Sequence, residues 1–280
     1  MKKLIFAFLL PILAAVASPA RALDVPPGGD ALFHQVRSSK VVAVGVLSTV
    51  TRDKLSFKAV QSIDGTVPAT LDIPTDPYVT TLRLTPGKSY TLFLVPQAGD
   101  RGQPESGKFQ FAVSMYSLVL TEPRDVGSFR EAVALFRKAQ SDRSTARTPL
   151  LQMLRESKVP YLQYSAAQGL RKMKLLKSED LPNIQSLLQP SLDPRAQEML
   201  VRETSRIGGV EHKILEDLIR NPQTTVTVKA IAVEELFRAK GANGLKPLLK
   251  DIDTIRSPRL KKQIGGLLTK QPLPPVPEDQ

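Results

Sequence analysis

Leu150-Leu151-Gln152-Met153-Leu154, Ile184-Gln185-Ser186-Leu187-Leu188, Leu215-Glu216-Asp217-Leu218-Ile219 and Leu245-Lys246-Pro247-Leu248-Leu249 carry one pattern: an apolar residue, then two more three and four positions later. Residues at i, i+3 and i+4 share one face of an α-helix. The four copies are spaced by 34, 31 and 30 residues, room for two helices and a turn in each unit. A second helix follows each copy, its start marked by Pro160, by Asp193-Pro194, by Thr224-Thr225 and by Ser257-Pro258. A Ser, Thr or Asp oxygen there accepts a first-turn N–H, and proline is tolerated because its missing N–H has no helical partner anyway. Gly208-Gly209 and Gly241 supply stops near the ends of the second and third pairs.

The final helix shows why such units come in rows. Leu260, Ile264, Leu267 and Leu268 form an apolar stripe, while Arg259, Lys261, Lys262 and Lys270 take other positions. One helix pair cannot bury its stripe alone, so neighbours must stack and extend a common core. With its paired leucines, its Asp-Pro or Ser-Pro between helices and its period of about 30 residues, the stretch 148–271 resembles HEAT or HEAT-like repeats, with 126–139 as an N-terminal capping helix. The HEAT pattern also favours Asp and Arg around the inter-helix turn. Asp193 with Arg195 and Asp253 with Arg256 approximate it, and the third pair lacks it. The resemblance implies a curved scaffold that grips partners.

Residues 23–122 read differently. LDVPPGG at 23–29 has linker composition, and a short helix over 30–37 precedes the β-branched run 40–47. Leu55, Phe57 and Ala59 alternate toward Ile63 and the turn pair Asp64-Gly65. Short strands follow at 70–73 and 79–84, Pro86-Gly87 turns the chain into Tyr90, Leu92 and Leu94, and a last strand alternates Phe109, Phe111, Val113, Met115. Five or six short strands, the first apolar on both faces, suit a small closed OB-like barrel, with a sandwich as the alternative. The fold class expected is therefore α+β.

Val41-Val42-Ala43-Val44-Gly45, Phe57-Lys58-Ala59-Val60 and Leu84-Thr85-Pro86-Gly87-Lys88-Ser89-Tyr90-Thr91-Leu92-Phe93-Leu94 resemble bacterial relatives of the netrin-like domain, the OB barrel also used by tissue inhibitors of metalloproteinases. Those inhibitors ligate the protease zinc through an N-terminal cysteine and brace the barrel with disulfides. This chain has no cysteine, so the resemblance implies the barrel and not the inhibition.

Lys2 and Lys3, the apolar stretch 4–16 and Ala20-Arg21-Ala22 make a cleavable secretory signal with Leu23 as the mature start. The apolar stretch is shorter than the roughly 20 residues a bilayer span needs. A periplasmic or secreted protein is expected, not membrane-spanning after cleavage. The whole chain of 280 residues has 39 bases against 27 acids, a net charge of +12. Between Leu23 and Pro123 nine bases balance nine acids, so the mature surplus lies in the helical half. Composition excludes collagen-like, disulfide-scaffold and wholly disordered classes. The expected plan is a signal at 1–22, a linker at 23–29, a barrel at 30–122, helical repeats at 126–270 and a proline-rich tail at 271–280.

No residue pattern assembles a reaction. His34 and His212 fall in different halves, so no metal site is expected from them; no Gly-x-Ser-x-Gly elbow, phosphate-binding loop or cofactor motif is present. Glu234 and Glu235 diverge on a helix, with Glu234 expected to pair with Arg238 and Glu198 with Arg202 at i+4. The barrel half is neutral with few face aromatics, so nucleic acid is not expected as its partner.

Two basic clusters remain as candidate binding residues. Arg171, Lys172, Lys174 and Lys177 crowd a helix C-terminus, where the helix dipole welcomes cations; Arg256, Arg259, Lys261 and Lys262 crowd a helix start, where it does not. The leading expectation is a non-enzymatic scaffold of the cell envelope that holds a protein on the concave face of its repeats. The alternatives are an electrostatic binder of an anionic polymer or lipid surface, and an enzyme with a cleft between the two halves.

Overall fold

The computed structural model describes residues 32–75, 84–99, 104–113, 117–207, 212–250 and 257–269. Outside them lie the signal segment, the linker, all but the last residue of the strand expected at 79–84, Tyr78, Met115, Gly208-Gly209, Asp253, Arg256, Lys270 and the proline-rich tail. The fold is α+β, an antiparallel sheet followed by helices.

A short helix α1 (Leu32–Ser38) leads into β1 (Val41–Val50), β2 (Lys54–Asp64), β3 (Leu71–Pro74), β4 (Ser89–Ala98), β5 (Pro104–Phe111) and β6 (Leu118–Leu120). The strands pair in the order β3-β2-β1-β4-β5, with β6 also on β4. The expectation of a closed barrel needs correcting: the sheet is not closed. Its two ends, β3 and β5, run beside each other but do not pair. The chemistry at those ends is unsuited to a ladder, because β3 is four residues long and ends on Pro74, and β5 opens on Pro104; proline has no N–H to donate.

β1 is apolar on both faces because it separates two cores. Val41, Ala43 and Leu47 join Leu55, Phe57, Ile73, Leu92 and Leu94 on one side. Val42, with Phe93 and Val119, faces the helices on the other. The sheet coils where Gly45 crosses β2: a side chain at Gly45 would lie 3.0 Å from Val60 and 3.3 Å from Phe57. The register between β1 and β2 shifts at this point, and Ala59 takes a positive φ of 50°, the marks of a bulge that bends the strand. β5 ends at Phe111, with a turn at 112–113 where alternation predicted continued strand.

The helical half consists of α2 (Val126–Ser141), α3 (Arg147–Glu156), α4 (Pro160–Lys172), α5 (Leu181–Leu187), α6 (Pro194–Ile207), α7 (Lys213–Arg220), α8 (Val226–Lys250) and α9 (Pro258–Leu268). The four apolar triplets fall on α3, on α5 and its C-cap Leu188, on α7 and on the end of α8. Leu150, Ile184, Leu215 and Leu245, the first residue of each, are all 0 % exposed. Asp193 accepts from the backbone N–H groups of Arg195 and Ala196, Thr225 from Val228 and Ser257 from Leu260, which caps α6, α8 and α9 as the spacing predicted, while α4 starts on Pro160 after Val159 with no side-chain cap. Gly241, at φ 61° and ψ −156°, splits α8 into two helical segments.

α3 packs on α4, α5 on α6 and α7 on α8, while the second helices form a row in which α4 meets α6, α6 meets α8 and α8 meets α9. α2 heads the row: Phe129 stacks on Tyr161 with centroids 6.0 Å apart, and the Phe136 ring lies against Gly169 of α4.

Candidate functional site

The row of helices already holds one helix, the chain's own α1. Leu32 and Val36 are buried with Phe129, Phe136 and Leu170, and the Phe33 ring meets Phe136 at 5.8 Å, tilted by 58°. The approach is close because α4 presents Ser165, Ala166 and Ala167 there; the Leu32 N–H donates to Ser165 Oγ at 3.1 Å, satisfying an orphan donor at the start of α1. At its other end Arg137 of α2 donates to Asp64 at 2.7 Å, to Ser39 Oγ at 3.4 Å and to the Val36 carbonyl. One guanidinium thus ties α1, β2 and α2 together.

Further along the row the helices are joined by acids buried between arginines. Glu203 of α6 accepts from Arg206 at 2.8 Å and pairs with Arg171 of α4 at 3.5 Å. Glu235 of α8 accepts from Arg202 of α6 at 2.6 Å and from Arg238. Glu203 and Glu235 are 3 % and 4 % exposed, and the arginines supply the partners that a buried acid requires. Burial works against the Arg202 guanidinium, yet its bond to Glu198 and the nearby charges of Glu235 and Glu234 raise its pKa above the usual value. The expected Glu198–Arg202 pair is present at 2.9 Å. The expected Glu234–Arg238 pair is not: Arg238 turns to Glu235, and Glu234 accepts from Gln263 of α9 at 3.0 Å. The reason is spatial, since Glu235 lies in the seam between α6 and α8, where burial makes a partner obligatory.

Beyond α1 the row continues as a mixed polar surface. Arg195 lies over the Tyr164 ring at 4.5 Å, a cation–π contact. Glu198, Arg202, Glu234 and Gln263 follow along α6, α8 and α9, all half-buried. On the outer side, two grooves flank α3. One, of about 300 Å³, runs between α2 and α3 and is lined by Glu131, Leu135, Pro149, Met153 and Glu156 among others; the other, of about 390 Å³, lies between α3 and α5 beside Arg147, Arg155 and Asp180. Arg147 is committed to Asp180 at 3.1 Å and Glu179 at 2.7 Å, and these bonds, Asp180 first, raise its pKa against the opposing effect of burial.

The first basic cluster is spread over the end of α4. Arg171 is tied to Glu203. Lys172 and Lys174 are exposed, and Lys174 takes the left-handed residue of a Schellman-type stop, at φ 55°, with the Leu175 N–H bonded to the Leu170 carbonyl at 2.9 Å. Lys177 is exposed, and its backbone N–H donates to Asp180. In the second cluster Arg259 and Lys262 are exposed and Lys261 is half-buried; Arg256 lies outside the described residues. The seven described candidates thus fall at the end of α4 and on α9, two elements with no substantial contact between them.

His34 and His212 lie on α1 and at the start of α7. Among the described residues no group of three or more His, Asp or Glu side chains could hold a metal ion, and no helix is long and apolar enough to cross a membrane. Comparison with known proteins gives no matching family, no matching curated relative and no matching solved structure.

The seat of α1 and the Arg137 bridge were not anticipated from sequence. The signals present were the apolar Leu32, Phe33 and Val36 on the short helix and the run of small residues on α4. The buried acids had a sharper mark: Glu203 recurs 32 residues later as Glu235, and Arg206 as Arg238.

Proposed function

We propose that the protein is an exported, non-enzymatic protein-binding scaffold of the cell envelope, and that its helical half is a HEAT-like solenoid whose row of second helices holds the partner. The observation that carries this reading is α1: the row already accepts a helix against α2 and α4 through apolar contacts and one backbone hydrogen bond. Among the described residues no such helix lies on the continuation of the row over α6, α8 and α9. Succession of contacts along the chain, α4 to α6 to α8 to α9, supports stacking along a line. Export rests on Lys2, Lys3, the apolar stretch 4–16 and Ala20-Arg21-Ala22.

The sheet half is read as an OB-like, netrin-like barrel left partly open. Its support is the strand order together with the position of β3 alongside β5. It supplies the platform that carries α1 into the row.

The test is a photo-crosslinking amino acid placed at Glu198 on α6 and at Lys262 on α9, with Lys213 on the outer helix α7 as control, in the native envelope. The same crosslinked protein is expected from the first two positions and not from the third. Equal yields from all three, or none, overturn the reading. A charge-driven reading, with an anionic polymer or lipid surface as partner, is less well supported because Arg171, Arg202, Arg206 and Arg238 already have acids of the chain itself as partners.

A further inference from the structure

The groove between α2 and α3 has a composition at odds with the rest of the molecule. The chain carries a net charge of +12, yet the groove is lined by Glu131 and Glu156 and by no lysine or arginine. Both acids are exposed, and among the described residues neither forms an ion pair; Glu156 accepts one hydrogen bond, from Gln152 at 2.9 Å. Between the two acids lie Leu135, Pro149 and Met153, each half-buried and each open to the groove. Methionine suits such a floor, because its unbranched, polarizable side chain fits apolar groups of varied shape. The neighbouring groove across α3 contrasts with it, since there Arg147 already neutralises Asp180 and Glu179.

We propose that the groove between α2 and α3 binds a peptide segment of the partner protein in which basic side chains flank an apolar one. The apolar residue rests on Leu135, Pro149 and Met153, and the bases reach Glu131 on one wall and Glu156 on the other. This deepens the scaffold reading and rests on it, adding the chemistry of the partner and a second place of contact. At about 300 Å³ the groove is at the small end of the range for ligand sites and takes a few side chains, not a folded surface. Because the acids are exposed, the charge contribution is screened over about 8 Å at physiological ionic strength.

Binding of a fluorescent pentapeptide, a leucine between two lysines with serine ends, to the full mature protein is the test. Controls replace the lysines by glutamates or the leucine by serine. Removing one exposed charge partner weakens binding up to about fivefold, so the double variant Glu131→Gln, Glu156→Gln is expected to lose about tenfold, and Met153→Gln to lose preference for the leucine peptide. All three substitutions are at solvent-accessible positions, and unchanged circular dichroism melting keeps the comparison valid. Equal affinity for the three peptides, or an unchanged affinity in the double variant, overturns the proposal. The crosslinks from Glu198 and Lys262 report separately: if they persist while the peptide result fails, the groove assignment alone falls; if they vanish, the scaffold reading falls with it.

Discussion

Arg202 on α6 donates to Glu235 on α8 across 2.6 Å, with the two residues 33 positions apart in the chain. Arg171 and Glu203 stand in the same relation one unit earlier, 3.5 Å apart. The seams between successive second helices are therefore closed by charge as well as by leucine.

Neutralising either acid leaves arginines facing a buried amide, but the solvent access of those arginines sets the cost. The side chains of Arg202 and Arg238 are 31 % and 26 % exposed, those of Arg171 and Arg206 39 % and 47 %. Glu235→Gln is expected to cost about 2–3 kcal/mol and Glu203→Gln about 1–2 kcal/mol, below the loss for a fully buried pair because water reaches the partners. Urea denaturation of the two variants gives the order directly; equal losses contradict the burial argument.

Arg137 bonds the sheet to the helices. Arg137→Ala removes the donors that reach Asp64, Ser39 and the Val36 carbonyl, and the expected loss is about 1–3 kcal/mol. The consequence should be local as well as global, with hydrogen exchange of α1 amides accelerating more than exchange in α7. Uniform acceleration over both helices contradicts the assignment of Arg137 as a local tie.

The helices were legible because their signals are local and periodic. A triplet such as Leu215, Leu218 and Ile219 fixes a helix face, and Ser257-Pro258 fixes a helix start, without reference to anything distant. The sheet was legible as strands, but not in its closure, which depends on whether Pro74 and Pro104 leave usable edges. The site was the least legible part. Leu32 meets Ser165 across 133 residues and Arg137 meets Asp64 across 73, and no spacing rule links such positions. The basic cluster at 171–177 drew attention by charge density, whereas the fold uses Arg171 as a tie and Lys174 in a helix stop.

Two glycines on helices should respond to alanine with opposite signs. Gly169 of α4 has Phe136 and Leu150 so near that an added Cβ would lie 3.0 and 3.3 Å from their rings and methyls; Gly265 of α9 has nothing within 4 Å. Alanine improves helix propensity by about 1 kcal/mol at either site, but overpacking costs about 1–3 kcal/mol at the first. Gly265→Ala is expected to raise the thermal midpoint and Gly169→Ala to lower it. A rise in both leaves the close α2–α4 approach without energetic support.

His212 makes stability depend on pH on the acid side of neutrality. Its Nδ1 is buried without a hydrogen-bond partner, its backbone is left-handed at φ 41°, and burial, then the charge of Lys240, pushes its pKa below the ordinary value of 6.5. Lys240 itself lies 3.9 Å from Glu216, which also pairs with Arg220. As the pH falls through 6.5 the unfolded chain takes up a proton before the folded one does, so stability present above 6.5 is lost as the pH falls toward the depressed folded value. His212→Asn keeps a residue that tolerates the left-handed backbone and removes the titration. The thermal midpoint of the parent relative to this variant is expected to fall between pH 7 and pH 5; a constant difference over that window would falsify the role given to the ring.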